Sequence, residues 1–267
     1  MLSLPGILRG KGLSQTFEMA DSSPIGASQQ SLVEIPVSIE GSPYQYKLSD
    51  RYSSHSVILS LLPPHGSGRV LDVGAAHGYL GAELEKRGFR VTGIEGDAAL
   101  ARSAAERCSE VFHADLDGPL PELTGTFDYI LYGDVLEHLR DPLRVLRAFN
   151  RVLQRDGVVI ISVPNVANIY VRLQLMMGRF EPADRGILDR THLHFYTRKS
   201  FLRLVDDAGL QATKVSATPI PLPLVVPEKL QGRTFAAMHQ VNAWMARAWP
   251  TLFGYQFVAV TRPRRFA

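Results

Sequence analysis

Val70-Leu-Asp-Val-Gly-Ala-Ala-His-Gly-Tyr-Leu80, followed by Val91-Thr-Gly-Ile-Glu95, is the stretch on which the fold turns. An apolar run (Val70, Leu71, Val73) breaks at Gly74, and Gly78 then opens an amphipathic stretch from Tyr79 to Arg87. This is the pattern of a strand, a tight turn and a helix whose N-terminus faces whatever lies above the turn. Glycine at the turn lets the backbone approach a ligand closely, because no Cβ stands between them. A second apolar run, Phe89 to Ile94, ends on Glu95. An acid at the tip of the second strand of a βαβ unit can accept both hydroxyls of a ribose. The unit is predicted to bind a nucleoside; the alternative is a Rossmann-like turn that binds nothing.

Spacing narrows the choice of nucleoside. The dinucleotide fingerprint G-x-G-x-x-G begun at Gly74 needs glycines at 76 and 79, where the chain has Ala76 and Tyr79. That argues against a nicotinamide oxidoreductase. Asp72, two residues before Gly74, instead fits the D-x-G-x-x-x-G form of the first motif of class I methyltransferases dependent on S-adenosyl-L-methionine (AdoMet). The chain resembles that family, with one departure at Ala76, where many members carry glycine. The resemblance implies AdoMet as cofactor. It assigns Asp72, Gly74, Ala75 and Gly78 to the cofactor turn, and Glu95 with Gly96 to the ribose. A third strand, Glu110 to Asp115, brings Asp115 and Leu116 to the adenine. A fourth, Phe127 to Asp134, sets Gly133 and Asp134 beside the methionine part.

Three further stretches carry a narrower resemblance: Ser53-Ser-His55, Gly178-Arg-Phe-Glu181 and Leu188-Asp-Arg-Thr-His-Leu-His-Phe-Tyr-Thr197. They are similar to a bacterial branch of the family often encoded with glycosyltransferases for surface polysaccharides. The implied reaction is O-methylation of a sugar or glycan intermediate, and the implied partner is a small-molecule, sugar or lipid-linked acceptor. The alternatives are O-methylation of an apolar small molecule such as a quinone precursor, and an AdoMet-binding scaffold without turnover.

Methyl transfer from a sulfonium needs an acceptor held in line and a destination for its proton. Asp134, Glu137 and His138 follow the fourth strand, and His192 lies in the later loop with Asp189, Arg190, His194 and Tyr196. An imidazole titrates near neutrality, so His138 is the expected general base. A helix cap made by Glu137-His138 is the structural alternative. His192 and His194 are two residues apart and point oppositely in an extended segment, so one of them faces the site. The series Asp134-x-x-Glu137-His138 with a later histidine also echoes the E-x-x-E-H metal site of some quinone and RNA-end methyltransferases; a divalent metal is conceivable here but not expected. Ser54 and His55 are expected to line the acceptor side or cover the cofactor.

Alternating strand and helix signals imply an α/β fold, a doubly wound, seven-stranded Rossmann-like methyltransferase sheet. Gly88 stops the first helix and Asp97 caps the next, Ala98 to Cys108. Asp141-Pro142 opens a helix from Leu143 to Leu153, Asp156-Gly157 turns into the fifth strand, and Thr197 caps Arg198 to Ala208. The last strands, Leu210 to Ala217 and Tyr255 to Thr261, form an antiparallel pair in the family. Between them, residues 218–254 form a helical insertion. It opens with Pro219, Pro221, Pro223 and Pro227, then places Phe235, Met238, Val241, Trp244, Met245 and Trp249 at helical spacing. That apolar stripe is expected to pack on the sheet or on a partner subunit; the alternative is a lid or a membrane-facing surface.

Residues 44–267 are read as the methyltransferase domain and 1–43 as a loosely ordered extension rich in Ser and Gly. Ile35 to Ile39 is a candidate edge strand, and Met19 an alternative start. The formal charge of +3 is mild, and the densest basic cluster is the terminal Arg262-Pro-Arg-Arg265, so no nucleic-acid partner is expected. A single cysteine, Cys108, excludes an internal disulfide and suggests a cytoplasmic protein. No apolar run reaches the roughly 20 residues of a membrane span, leaving at most peripheral membrane contact. A monomer or a homodimer is expected.

Overall fold

A computed structural model describes residues 50–264, all within one compact unit, Ile39–Ala267. The extension to residue 43, the candidate edge strand at 35–39 and Met19 lie outside the described residues. The chain enters through α1 (Ser54–Leu61), and the Ser53 hydroxyl caps it by accepting from the Ser56 amide. Then follow β1 (Arg69–Val73), α2 (Tyr79–Lys86), β2 (Arg90–Glu95), α3 (Ala98–Ala105) and β3 (Glu110–His113). Next come β4 (Phe127–Gly133), a 3-10 turn (Leu136–His138), α4 (Pro142–Asn150), β5 (Leu153–Pro164), α5 (Ile169–Met176), α6 (Arg198–Asp207) and β6 (Leu210–Thr218). The insertion carries α7 (Leu222–Val225), a 3-10 turn (Glu228–Leu230), α8 (Arg233–Ala248) and α9 (Pro250–Phe253), before β7 (Gln256–Pro263).

The seven strands form one sheet in the order β3-β2-β1-β4-β5-β7-β6. The first five run parallel; β7 is antiparallel to both β5 and β6. Near-continuous apolar runs suit strands covered on both faces, and the alternation of side chains divides them between two cores. Leu71, Val73, Ile130, Tyr132 and Ile161 pack with Val145, Leu146 and Phe149 of α4 and with Phe201 and Val205 of α6. Val70, Val91, Leu131 and Ile160 turn to the other face, against Ile58 and Leu59 of α1 and Leu80 and Leu84 of α2.

Most end signals act where the sequence puts them. Asp97 accepts from the Ala99 and Leu100 amides, Asp141 from Arg144, and Thr197 forms a capping box with Ser200. One boundary shifts. Asp156-Gly157 is not a turn between elements but a bulge inside β5: Phe127 pairs with Leu153 and Tyr129 already with Val158.

The insertion departs further. Its helix faces the body of the protein with His239, Ala243 and Ala246, while Met238, Val241, Trp244 and Trp249 are half or more exposed. The expectation that the apolar stripe packs against the sheet is corrected for these four side chains. Small residues let α8 approach β6, and polar bonds fix it: Asn242 donates to the Ile220 carbonyl at 2.7 Å and His239 meets Asp50 at 3.4 Å.

Candidate active site

Strand order reverses between β1 and β4, so their carboxyl ends diverge and leave a crevice, as at other switch points of open α/β sheets. The crevice is a cavity of about 1150 Å³. Among its lining residues are Asp72, Gly74, Ala75, Glu95, Gly96, Asp115, Leu116, Gly133 and Asp134, from the tips of four neighbouring strands. Gly78 does not line it. It takes φ +74° at the start of α2, and a Cβ there would stand 2.8 Å from the Ala104 backbone. Without a Cβ it lets α2 pack on α3.

Local geometry explains the turn. Gly74 has φ +77°, and a Cβ there would meet Val135 at 2.7 Å. Ala76, where the family often has glycine, also adopts a left-handed backbone, with φ +48°. Its amide is held by Glu95 Oε2 at 2.8 Å, while Glu95 Oε1 accepts from the Asp97 amide at 2.9 Å. Glu95 is thus fixed at the strand tip by two backbone donors. Asp72 is buried, and its Oδ2 has no hydrogen-bond partner. Burial first, and the charge of Glu95 second, push its carboxyl up to about 7.

Asp134 follows β4 at φ +58°, a strained backbone of the kind that concentrates at working sites. Its amide donates to Ser162 Oγ at 3.0 Å, and the Ser162 hydroxyl donates to Asp134 Oδ1 at 2.5 Å. The Ser54 hydroxyl donates to Oδ2 at 2.8 Å. Ser54 and Ser162 were not legible as partners of Asp134, because they are 80 and 28 residues away. Ser53, Ser54 and His55 all line the cavity.

Three side chains then converge. Ligand atoms of Glu137, His138 and His192 all lie within 4.8 Å of one another, and the two imidazole rings meet edge to face at 4.8 Å. The loop bearing His192 is tied down twice. Leu193 and His194 amides donate to the Glu137 carbonyl at 2.8 and 3.1 Å, and Ile187 and Leu188 pack with Val171 and Tyr255. His192 faces the cavity, whereas His194 Nε2 lies near the Arg140 carbonyl. Asp141, not Glu137-His138, caps the following helix.

Tautomers follow from the partners. The Thr191 hydroxyl donates to Asp189 Oδ1 at 2.7 Å, so at 3.0 Å it accepts from His138 Nδ1–H. His192 Nδ1 likewise donates to the Ile187 carbonyl at 3.1 Å. Each ring keeps Nε2 as an acceptor. Burial holds His192 below its usual pKa, against the Ile187 bond. Asp189 is drawn below the usual carboxylate range: partial burial works the other way, but the bonds from Thr191 outweigh it. Tyr255, also on the cavity wall, is pushed up to about 12 by burial and by Asp134.

The comparisons agree with this architecture. Residues 44–215 match the family model of a methyltransferase domain. The chain is 33% identical over 103 residues to the ubiquinone biosynthesis O-methyltransferase of Pseudomonas aeruginosa (strain UCBPP-PA14), covering 36% of this chain and 44% of that one. With the enzyme of the same name from Aeromonas salmonicida it shares 30% over 156 residues, 55% and 65% of the two chains. The chain thus spans about half to two thirds of these relatives. A solved structure from Thermotoga maritima, of a SAM-dependent methyltransferase and possible histamine N-methyltransferase, superposes with TM-score 0.57 at 18% identity, over 83% of this chain and 94% of that one.

Proposed function

The chain belongs to the class I AdoMet-dependent methyltransferases, and from that premise we propose that it methylates a hydroxyl group on a small acceptor. AdoMet is the methyl donor, and the described residues fit it. Gly74 and Ala75 line the crevice at the tip of β1, Glu95 stands at the tip of β2 for the ribose, and the unpartnered Asp72 oxygen suits a cationic ligand. When bound, AdoMet supplies an activated methyl group. Asp115 and Leu116 take the adenine side, and Gly133 and Asp134 the methionine side.

Between a glycan hydroxyl and that of an apolar molecule such as a quinone precursor, the curated relatives favour the second. So does the wall of the cavity, where Pro219, Pro221, Leu224 and Val225 stand. The observation that carries O-methylation is the hydrogen-bond chain Asp189–Thr191–His138. His138 Nε2 takes the hydroxyl proton as the C–O bond forms, and the negative end of the chain stabilises the imidazolium. His192 orients the acceptor beside it, and Glu137 fixes the loop that carries both partners. Incubation with labelled AdoMet tests this: a prenylated catechol should give a methyl ether, and an amine or free sugar little product. Methyl transfer to the amine alone would overturn it.

The convergence of Glu137, His138 and His192 favours a second reading, in which these three hold a divalent cation. Asp134 stands apart from that group, engaged by Ser54 and Ser162. Chelation that abolishes activity, restored by Mg²⁺ or Zn²⁺, would select it over the simple base. A reducing cytoplasm suits the lone Cys108 of the chain.

A further inference from the structure

A second cavity, of about 470 Å³, adjoins the first and shares Tyr52, Thr218 and Pro219 with it. Its composition is one-sided. Arg51, Lys214 and Arg247 line it, together with the hydroxyl residues Ser60, Ser216 and Thr218, and no carboxylate does. Two of the cations are gathered on a single ring: Arg51 Cζ lies 4.7 Å and Arg247 Cζ 5.8 Å from the centroid of Tyr52.

Like charges gathered around one cavity repel unless an anion joins them. None of the described residues supplies one, since the ion pairs among them leave out Arg51, Lys214 and Arg247. The nearest acid in sequence, Asp50, is buried and lines the first cavity, not the second: its Oδ1 accepts from the Tyr52 amide at 3.0 Å and meets His239. The three cations come from the chain entry, the edge strand β6 and the inserted helix α8. Their meeting is a product of the tertiary fold, and Lys214, Ser216 and Thr218 share one face of β6.

We propose that this basic cavity is a phosphate subsite, which takes the phosphate or diphosphate group of the acceptor whose hydroxyl is methylated in the adjoining cleft. Guanidinium groups match phosphate oxygens with paired N–H donors, and the Tyr52 ring keeps both guanidinium planes in place. Tyr52, Thr218 and Pro219 stand in the walls of both cavities, so the two lie side by side. The proposal rests on the reading that the cleft accepts a small hydroxyl-bearing molecule, and it adds a charged handle to that molecule. Two sources supply such a handle: a nucleoside diphosphate ester or a prenyl diphosphate.

Calorimetry on the full chain, saturated with S-adenosylhomocysteine, tests it with inorganic pyrophosphate as probe. Pyrophosphate should bind, more weakly as salt rises, and Arg51→Gln/Arg247→Gln should weaken it at least about tenfold. Lys214→Gln alone should weaken it several-fold. S-adenosylhomocysteine affinity should not change in any variant, which also reports that each is folded. Competition then names the source: UDP displaces pyrophosphate if the handle is nucleotide-linked, farnesyl diphosphate if it is lipid-linked. Absence of pyrophosphate binding, binding indifferent to the double substitution, or displacement by neither competitor overturns the proposal. Because the readout is binding, failure of O-methylation in the catechol assay leaves this result standing, and the converse holds.

Discussion

His138 and His192 differ in what surrounds them, and that difference assigns their work. His138 leans on the Thr191 hydroxyl and, through it, on Asp189; His192 leans on a neutral carbonyl. Only His138 is linked through a hydroxyl to a carboxylate, while burial disfavours the charged form of His192 despite its bond to Ile187. His138→Ala should therefore lower the methyl-transfer rate by roughly 10²–10⁴-fold, with AdoMet affinity little changed. His192→Ala should hurt less, and Thr191→Val should shift the pH–rate profile rather than abolish turnover. Near-normal turnover of His138→Ala across the pH range would remove the base from this scheme.

Asp72 supplies a second residue-scale test. Its folded-state pKa, about 7, lies above the ordinary value of 3.8. The folded protein therefore holds this proton more tightly than the unfolded chain does. Stability from this group is greatest below about pH 4 and falls as pH rises toward 7, then levels. Thermal melts of the ligand-free protein should show that decline, and Asp72→Asn should flatten it. An unchanged slope in the variant would mean that the carboxyl is already ionised.

At the scale of elements, the inserted helix α8 is the informative case. Trp244 is 67% exposed while Ala243 and Ala246 are buried, so Trp244→Ser should leave stability within about 0.5 kcal/mol, as at other exposed positions. A loss of several kcal/mol, measured by denaturant unfolding, would mean that the tryptophan is buried in solution. Ala243→Leu, by contrast, must push α8 off its neighbours. The stripe of large apolar residues has the right period for a helix, but a period does not tell which face is inward. Here the close approach to β6 requires small side chains, and the large ones are left outside. Caps were more legible: Asp97, Asp141 and Thr197 each precede a helix and each hydrogen-bonds its first turn, because capping is a local contest between side chain and backbone.

For the whole molecule, ligand linkage gives the most direct check. S-adenosylhomocysteine should bind the folded chain and raise its stability by about 2.7 kcal/mol at a hundredfold excess over Kd, while NAD should leave the melting temperature unmoved. Glu95→Ala should shrink the shift by removing charged hydrogen bonds to the ribose. No helix among the described residues is long and apolar enough to cross a membrane. Met176 of α5 and Trp244 of α8 are exposed.

By itself the sequence determined the sheet and its order of elements. Those depend on short-range patterns: apolar runs of strand length, a glycine where the backbone must turn left-handed, and an acid at a strand tip. Even Ala76, which breaks the usual glycine pattern, keeps the turn because Glu95 holds its amide. Only the tertiary structure decided what depends on residues far apart in the chain. It joined Ser54 and Ser162 to Asp134 and placed Thr191 and Asp189 behind His138. It also gathered Arg51, Lys214 and Arg247 around one cavity. The physical reason is common to all three: side-chain contacts across 28 or more residues are set by how helices and strands pack, and no local spacing records that.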